Sequence, residues 1–190
     1  MPRMVLGLII VLACFFQGCS DIAMTGAQVV YNRRSIQNNL TDHYLTREAY
    51  QALYLRSDQF KDTHIAIASY NGDILLAGQA PNEEKKTQAE HLVKQIPQAK
   101  TVYNLISVTH PTSTMTRMSD AWLTTKVKAK LLASSEVDAT RVKVVTENGT
   151  VYLMGILPKE EAQAAATIAS LTEGVQRVVK VFSYLTISKV

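Results

Sequence analysis

Cysteine is nearly absent from this sequence: among 190 residues there are only two, Cys14 and Cys19, both close to the start. So few cysteines, with none after residue 19, exclude a framework of disulfides. They also argue against a cysteine-based metal site and against a catalytic thiol in the body of the protein. The 47% of hydrophobic residues and 19% of charged residues describe a globular protein instead.

The sequence also lacks an apolar run long enough to cross a bilayer as a helix, which takes about 20 residues. The run near its start, "MVLGLIIVLACFF", has 13 residues and follows Arg3, a pattern typical of an export signal. The Gly18-Cys19 pair that comes next resembles the bacterial lipobox, although Phe16 stands where that motif usually has leucine. We therefore predict that residues 1–18 are a lipoprotein signal peptide and that Cys19 is acylated. The alternatives are an ordinary secretory signal followed by a stray cysteine and a poor transmembrane anchor.

The residue after the predicted acylation site bears on localisation. Ser20, rather than an aspartate, follows the cysteine, which resembles the sorting signal of outer-membrane lipoproteins in two-membrane bacteria. Two or three acyl chains suffice for stable anchoring, whereas a single chain would be marginal. We expect the protein to be held in the outer membrane by N-terminal acyl chains and to face the periplasm.

Acidic residues are in the minority, and the net charge is +4. Residues 19–110 are balanced, with nine basic and nine acidic residues, whereas residues 111–190 have ten basic and seven acidic residues. In the cytosol such a surplus would suggest nucleic acid, but outside the inner membrane the abundant anions are lipid head groups. We expect the basic second half to meet lipid, and we expect no nucleic-acid partner.

The sequence repeats itself with an offset of 77 residues and no gap. "IAIASYNGDILLAGQAPNEEKKTQAE" aligns with "VKVVTENGTVYLMGILPKEEAQAAAT", so that two Asn-Gly pairs, two prolines and two Glu-Glu pairs coincide. Self-similarity at one fixed offset indicates two copies of a unit of about 70 residues.

Each copy predicts the element order α-β-β-α-β. An amphipathic helix is predicted near 43–56 and again near 119–134, where Ser119 is the expected N-cap. The Asn-Gly pair predicts a type I′ turn between two strands, and a proline followed by two glutamates predicts the start of the second helix. Pro97 and Gly174 are expected to end that helix, and a third strand follows. The predicted fold class is α+β: two tandem domains, each a three-stranded sheet packed with two helices.

The hairpin of "TENGTVYLMG", the helix of "EAQAAATIAS" and the final "V..V" strand resemble the BON domain, and the resemblance covers both copies. Two such domains behind a lipobox resemble the dual-BON outer-membrane lipoproteins. The predicted domains are 43–110 and 116–188, after a tether at 19–42. The resemblance implies that the second domain binds anionic phospholipid, such as phosphatidylglycerol or cardiolipin. It also implies a role in envelope integrity and enrichment at the division site.

The single tryptophan, Trp122, lies in a lysine-rich predicted helix, "DAWLTTKVKAKLL". At 100° per residue, an apolar stripe that includes Val127 and Leu131 should face the sheet, and Trp122 lies on another side. Tryptophan suits a membrane interface, and lysines attract anionic head groups. The predicted phospholipid-binding residues are Trp122, Leu123, Lys126, Lys128, Ala129, Lys130 and Ala133. The alternative is that Trp122 packs against the first domain or under the N-terminal segment, with the lysines simply solvated.

The first copy offers an internal comparison for this helix. At the offset of 77, Trp122 and the three lysines align with four uncharged residues, namely Leu45, Ala49, Gln51 and Leu53. We therefore expect lipid binding to belong to the second copy.

Residues for catalysis or metal binding form no recognisable pattern. The four histidines lack ligand spacing, each Glu-Glu pair begins a helix, and no phosphate-binding glycine loop or nucleophile–base arrangement occurs. We predict that the protein is not an enzyme and uses no cofactor or metal. The hypothesis that competes with lipid binding is a periplasmic adaptor that binds an envelope protein linked to cell-wall remodelling.

Overall fold

The computed structural model describes residues 26–56 and 58–185, and Gln37–Val190 form one compact unit. The first copy contains α1 (Gly26–Tyr50), a π-helical turn (Gln51–Leu55), a 3₁₀ turn (Asp58–Phe60), β1 (His64–Tyr70), β2 (Asp73–Ala80), α2 (Glu83–Lys94) and β3 (Val102–Val108). The second copy contains α3 (Thr114–Ala133), a 3₁₀ turn (Ala139–Arg141), β4 (Val142–Glu147), β5 (Thr150–Leu157), α4 (Lys159–Ser170) and β6 (Arg177–Tyr184).

Each copy forms a three-stranded sheet whose central strand is the second strand of the hairpin. β2 pairs antiparallel with β1 and parallel with β3, and β5 pairs in the same way with β4 and β6. The parallel partner is reached through a helix, because parallel neighbours need a crossover connection. The predicted α+β class, with two three-stranded sheets and two helices for each, is confirmed.

Both helices of a copy pack on the same face of its sheet and enclose a hydrophobic core. In the first copy the core joins Leu45 and Leu53 of the first helical segment, Val93 of α2 and the helix-facing residues of the sheet. In the second copy α4 contributes mainly alanines, among them Ala165 and Ala169. Their short side chains let the helix lie close to the sheet.

The two hairpin turns have the predicted type I′ geometry, which requires a positive φ at both central residues. Asn71 and Gly72 have φ values of 53° and 89°, and the corresponding pair of the second copy has 47° and 69°. Each turn is braced by a buried aspartate of the preceding helix. The Asp42 carboxylate accepts hydrogen bonds from the N–H groups of Asn71 and Gly72, at 2.7 and 2.9 Å. Asp120 does the same in the second copy, at 2.8 and 2.9 Å.

The first helices of the two copies correspond with an offset of 78 residues rather than 77. Asp42 matches Asp120 in its contacts, and the buried residues Leu45, Ala49 and Leu53 match Leu123, Val127 and Leu131. The strands keep the offset of 77, so the first copy has one extra residue after Leu53, in the stretch that includes its π-helical turn. The alignment of Trp122 with Leu45 is therefore wrong. Its structural equivalent is Tyr44.

The first helix of each copy is longer than predicted. α3 begins at Thr114, and its N-cap is Ser113, whose hydroxyl accepts a hydrogen bond from the Thr116 N–H at 3.2 Å. Ser119 lies inside the helix, so its predicted capping role is wrong. In the first copy, α1 already begins at Gly26, within the predicted tether. Because no proline or glycine occurs from residue 27 to residue 50, the helix continues without a break before Leu45 and Ala49, which pack in the core.

The second helix of each copy begins after the proline predicted to start it and ends before the residue predicted to stop it. α2 has Asn82 as its N-cap and α4 has Pro158, so the prolines precede the first helical residue rather than occupy it. The helices then end at Lys94 and Ser170, before the expected stops at Pro97 and Gly174. The acidic pairs lie in the first turn of each helix, where they complement the helix dipole.

The two sheets pack against each other through the faces that carry no helix. Ala68, Leu75 and Ala77 of the first sheet form one buried cluster with three residues of the second, Tyr152, Met154 and Val181. Because side chains alternate along a strand, these residues point away from the two helix-covered cores. The order of layers is therefore helices, sheet, sheet, helices, and all four helices lie on the outside of this unit.

We expect Asp120→Ala to destabilise the fold by about 2–3 kcal/mol, because two backbone N–H groups of the second hairpin turn lose a charged acceptor. Urea unfolding followed by circular dichroism measures this. Asp58→Ala removes an exposed aspartate in the 3₁₀ turn of the first copy, where it forms an ion pair with the exposed Lys61. This substitution should cost less than about 0.5 kcal/mol. Equal effects of the two substitutions would contradict the bracing role.

Candidate functional site

The outer side of α3 carries a row of exposed apolar side chains. Met115, Met118, Trp122 and Leu132 are 75%, 64%, 67% and 70% exposed. Together with the exposed Ala129 and Ala133 they follow helical spacing, and we call these six residues the α3 stripe. The helix has 20 residues and is therefore about 30 Å long. Its opposite side is buried against the sheet.

Basic residues flank the α3 stripe on both sides. On a helical projection, Lys126 and Lys130 lie about 40° and 80° from Trp122 in one direction, and Lys128 and Arg117 lie about 120° and 140° away in the other. The one acidic residue of the helix is Asp120, which is buried and bonded to the hairpin turn. The exposed surface of α3 is thus apolar in the middle and cationic at its margins.

Two of the lysines are held by the chain that follows α4. The Lys126 ammonium donates to the carbonyl oxygen of Glu173 at 3.0 Å and lies 3.6 Å from the carboxylate of that residue. The Lys130 ammonium donates to the carbonyl oxygen of Leu171 at 3.3 Å. Carbonyls at a helix C-terminus attract cations, so these contacts fix both lysines along one margin of the stripe. Leu171 itself is 74% exposed and adds an apolar side chain there.

The structure changes the composition of the predicted site. Leu123, expected among the phospholipid-binding residues, is 5% exposed and holds α3 on the sheet, so it cannot reach a surface ligand. Trp122 is not packed against the first copy, contrary to the alternative prediction. Four exposed apolar residues of this surface are absent from the predicted site, namely Met115, Met118, Leu132 and Leu171. The first two precede Ser119, where the predicted helix begins. Leu132 lies within that helix and could have been identified from the helical projection alone.

The first copy has a similar apolar row but different charges. Leu40 and Tyr44 are the structural equivalents of Met118 and Trp122, and they are 65% and 43% exposed. The equivalent of Lys126, however, is Glu48, which pairs with Arg56 at 2.8 Å. The equivalents of Lys128 and Lys130 are Tyr50 and Ala52. The aromatic residue is therefore common to both helices, and the lysines are what the second helix adds.

A second group of polar residues lies at one end of the sheet–sheet contact. The Glu147 carboxylate is 3.3 Å from the His64 ring nitrogen Nε2, and its side chain is 9% exposed. Burial, and then the nearby Asp120 carboxylate, raise the pKa of Glu147 to about 7. Burial, followed by the charge of Arg117, lowers the pKa of His64. Both shifts favour the neutral forms of the two groups.

Within 26–56 and 58–185, no three histidine, cysteine or acidic side chains come together as metal ligands would. In that part of the chain no helix combines the length and the apolar character needed to cross a bilayer. The predicted acylation site, Cys19, lies outside the described residues.

Residues 42–110 and 119–186 match the BON domain. The chain therefore belongs to the BON family and carries two copies of its domain. It is 36% identical over 188 residues to the outer membrane lipoprotein DolP of Haemophilus influenzae, with 97% of both chains covered. That similarity makes it a DolP-like, dual-BON protein, localised to the outer membrane as a lipoprotein.

Two further relatives are similar in sequence over most of their length. A 21 kDa hemolysin of Actinobacillus pleuropneumoniae is 37% identical over 152 residues, which cover 80% of this chain and 78% of the relative. The osmotically-inducible protein Y of Escherichia coli is 26% identical over 156 residues, which cover 80% of this chain and 77% of the relative.

We expect the stability of the protein to fall by roughly 1 kcal/mol between pH 6.5 and pH 8 because of Glu147 alone. Its pKa is higher in the folded state than in the unfolded state, so the stabilisation is complete at low pH and is lost as pH rises through about 7. The lowered pKa of His64 acts mainly below about pH 6.5, and near the lower end of this window it weakly opposes the effect of Glu147.

Urea unfolding at both pH values tests this expectation with Glu147→Gln, which should flatten the dependence and be more stable than the native chain at pH 8. Glu136→Gln, at an exposed position, is the control and should behave like the native chain. An unchanged pH dependence in Glu147→Gln would show that Glu147 titrates normally.

Proposed function

We propose that this outer-membrane lipoprotein binds anionic phospholipid through the α3 stripe of its second BON domain. The observation that supports the proposal most strongly is the combination on one helix of an exposed apolar row and cationic margins, with no exposed acidic side chain. Helices of this kind lie in the plane of a membrane interface, with the apolar side among the upper acyl chains and the basic residues among the head groups.

The residue types of the stripe fit that position. A tryptophan ring is stable at the boundary between acyl chains and head groups, where its N–H stays hydrated. Methionine and leucine side chains gain free energy when they leave water. Each nearby basic residue adds about 1 kcal/mol at an anionic surface. Lys126 and Lys130 can keep their carbonyl contacts while they bind phosphate, because an ammonium group has three N–H donors.

The predicted acyl anchor complements such a site. Acyl chains on Cys19 would hold the BON domains near the leaflet, so that weak contacts by α3 become effective through a high local concentration. On this proposal the α3 stripe selects phosphatidylglycerol or cardiolipin, and the protein supports envelope integrity, including at the division site.

A second candidate function is favoured by the first copy. Leu40, Tyr44, Tyr50 and Leu55 are exposed apolar residues on its first helical segment, and they lack the lysines of the second copy. An apolar surface with mixed charges, here Arg47 next to Glu48, suits a protein partner better than an anionic bilayer. The adaptor function would then belong to the first copy, beside lipid binding by the second.

We expect Trp122→Ala to weaken binding to phosphatidylglycerol vesicles by about tenfold or more, which corresponds to about 1.4 kcal/mol. Residues 20–190, which retain the whole compact unit, are floated with the vesicles in a density gradient. The matched control is Tyr44→Ala, because Tyr44 is the structurally equivalent exposed aromatic residue of the first copy. It should bind vesicles as the native chain does.

Charge is tested separately. Lys126→Gln combined with Lys130→Gln should weaken binding to anionic vesicles, and the remaining binding should depend less on salt. Vesicles of phosphatidylcholine should bind none of the proteins well. If Trp122→Ala and Tyr44→Ala have the same effect, or if neither has one, the α3 stripe is not the lipid site.

A further inference from the structure

A cavity of about 230 Å³ lies between the two BON domains, beside the neighbouring edges of β1 and β4. Its wall takes residues from five elements of the two domains, including Asn39 and Asp42 of α1, Ser69 of β1, Lys128 of α3, Thr140 of the second 3₁₀ turn and Lys143 of β4. None of these residues belongs to the α3 stripe. Lys128 lies on the margin of α3 that is farther from Lys126 and Lys130.

Asp42, the acidic residue in this wall, already accepts three hydrogen bonds. One oxygen of Asp42 accepts hydrogen bonds from the Ser69 hydroxyl and the Gly72 N–H, at 2.8 and 2.9 Å. The other accepts from the Asn71 N–H at 2.7 Å. The oxygens of Asp42 therefore brace the hairpin turn, while its negative charge still attracts Lys143.

Lys143 is a partly buried cation without an acidic partner among the described residues. Its ammonium group donates to the carbonyl oxygen of Ser69, in the other domain, at 2.9 Å. An ammonium group has three N–H donors, and this contact uses one of them. Burial lowers the pKa of Lys143; the Asp42 charge opposes this shift and the charge of Lys128 adds to it. The two lysines are thus close enough to repel each other inside one concave site.

Lys128 is exposed at the mouth of the cavity and forms no ion pair with a described residue. Two lysines and one carboxylate, that of Asp42, give the lining of the cavity a net positive charge. A bound anion would be attracted by this charge and would reduce the repulsion between the two lysines. We propose that this interdomain cavity binds a phosphate group through Lys128 and Lys143.

The dimensions and chemistry fit a small phosphate ester. A volume of about 230 Å³ admits a phosphate with a glycerol-sized substituent, whereas typical pockets for larger ligands exceed about 300 Å³. Lysine binds phosphate as a point charge, and the amide of Asn39, another lining residue, can donate a further hydrogen bond. The phosphate could come from a free phosphate ester or from the head group of a phospholipid.

Binding at this position has a mechanical consequence. The ligand would touch α1 and β1 of the first domain and α3 and β4 of the second, so it would strengthen the contact between the domains. A ligand that binds only the folded state raises the melting temperature, and the rise grows with the logarithm of the ligand concentration once this exceeds the dissociation constant. This effect does not require the α3 stripe or a membrane.

The test uses residues 20–190, with inorganic phosphate and glycerol 1-phosphate as probes and chloride at matched ionic strength as the reference. We expect both probes to raise the melting temperature, and to shift the backbone amide signals of Asn39, Lys128 and Lys143 in two-dimensional NMR. Lys128→Gln should weaken affinity by about tenfold, the loss expected for one charge-assisted hydrogen bond. Lys159→Gln, at an exposed position outside the cavity, is the control and should leave affinity unchanged.

Lys128 has no structural contact to lose, so its variant keeps the test valid even if Lys143→Met disturbs the domain contact. Phosphatidylglycerol vesicles distinguish the two sources. If vesicles displace glycerol 1-phosphate, the site accepts lipid head groups; if both bind together, it takes a free phosphate ester. Equal phosphate affinity of the native chain and Lys128→Gln, or no difference from chloride, would overturn the proposal.

Discussion

The contact between the two sheets determines which surfaces of the protein remain available. Each BON domain has one sheet face covered by its own helices, and the other face would be exposed in an isolated domain. Ala68, Leu75 and Ala77 bury that face against Tyr152, Met154 and Val181. Because the helix-free faces of the two sheets pack against each other, the helices are the outer layers of the unit. The α3 stripe is exposed for this reason, and the cavity beside β1 and β4 lies where the sheet edges meet.

A comparison of the two copies distinguishes the residues that maintain the fold from those that differ on the surface. Asp42 and Asp120 brace equivalent hairpin turns, and the buried faces of α1 and α3 match residue for residue. The outer faces of these helices differ: Glu48 in the first copy is replaced by Lys126 in the second. The same scaffold thus presents an apolar surface with mixed charges in one domain and an apolar surface with cationic margins in the other. The proposed division of labour between the copies rests on this difference.

Much of the fold could be predicted because its signals are local. The Asn-Gly pairs require a type I′ turn, and the strand patterns repeat without a gap, so the element order and class followed from the sequence. The offset of 78 in the first helices could not be seen, because the extra residue after Leu53 leaves the hydrophobic spacing of each helix intact. The buried aspartates, the pairing of Glu147 with His64 and the cavity lined by Lys143 depend on packing between distant segments, which no local pattern reveals.

The central claim is that Trp122 enters an anionic membrane interface, and its own fluorescence tests this most directly because the chain has no other tryptophan. Emission of residues 20–190 would be recorded while vesicles of phosphatidylglycerol or cardiolipin are added, with phosphatidylcholine vesicles in parallel. The account predicts emission typical of an exposed indole in buffer, a blue shift with the anionic vesicles only, and reversal of that shift by salt. Emission that stays unchanged with anionic vesicles would contradict it.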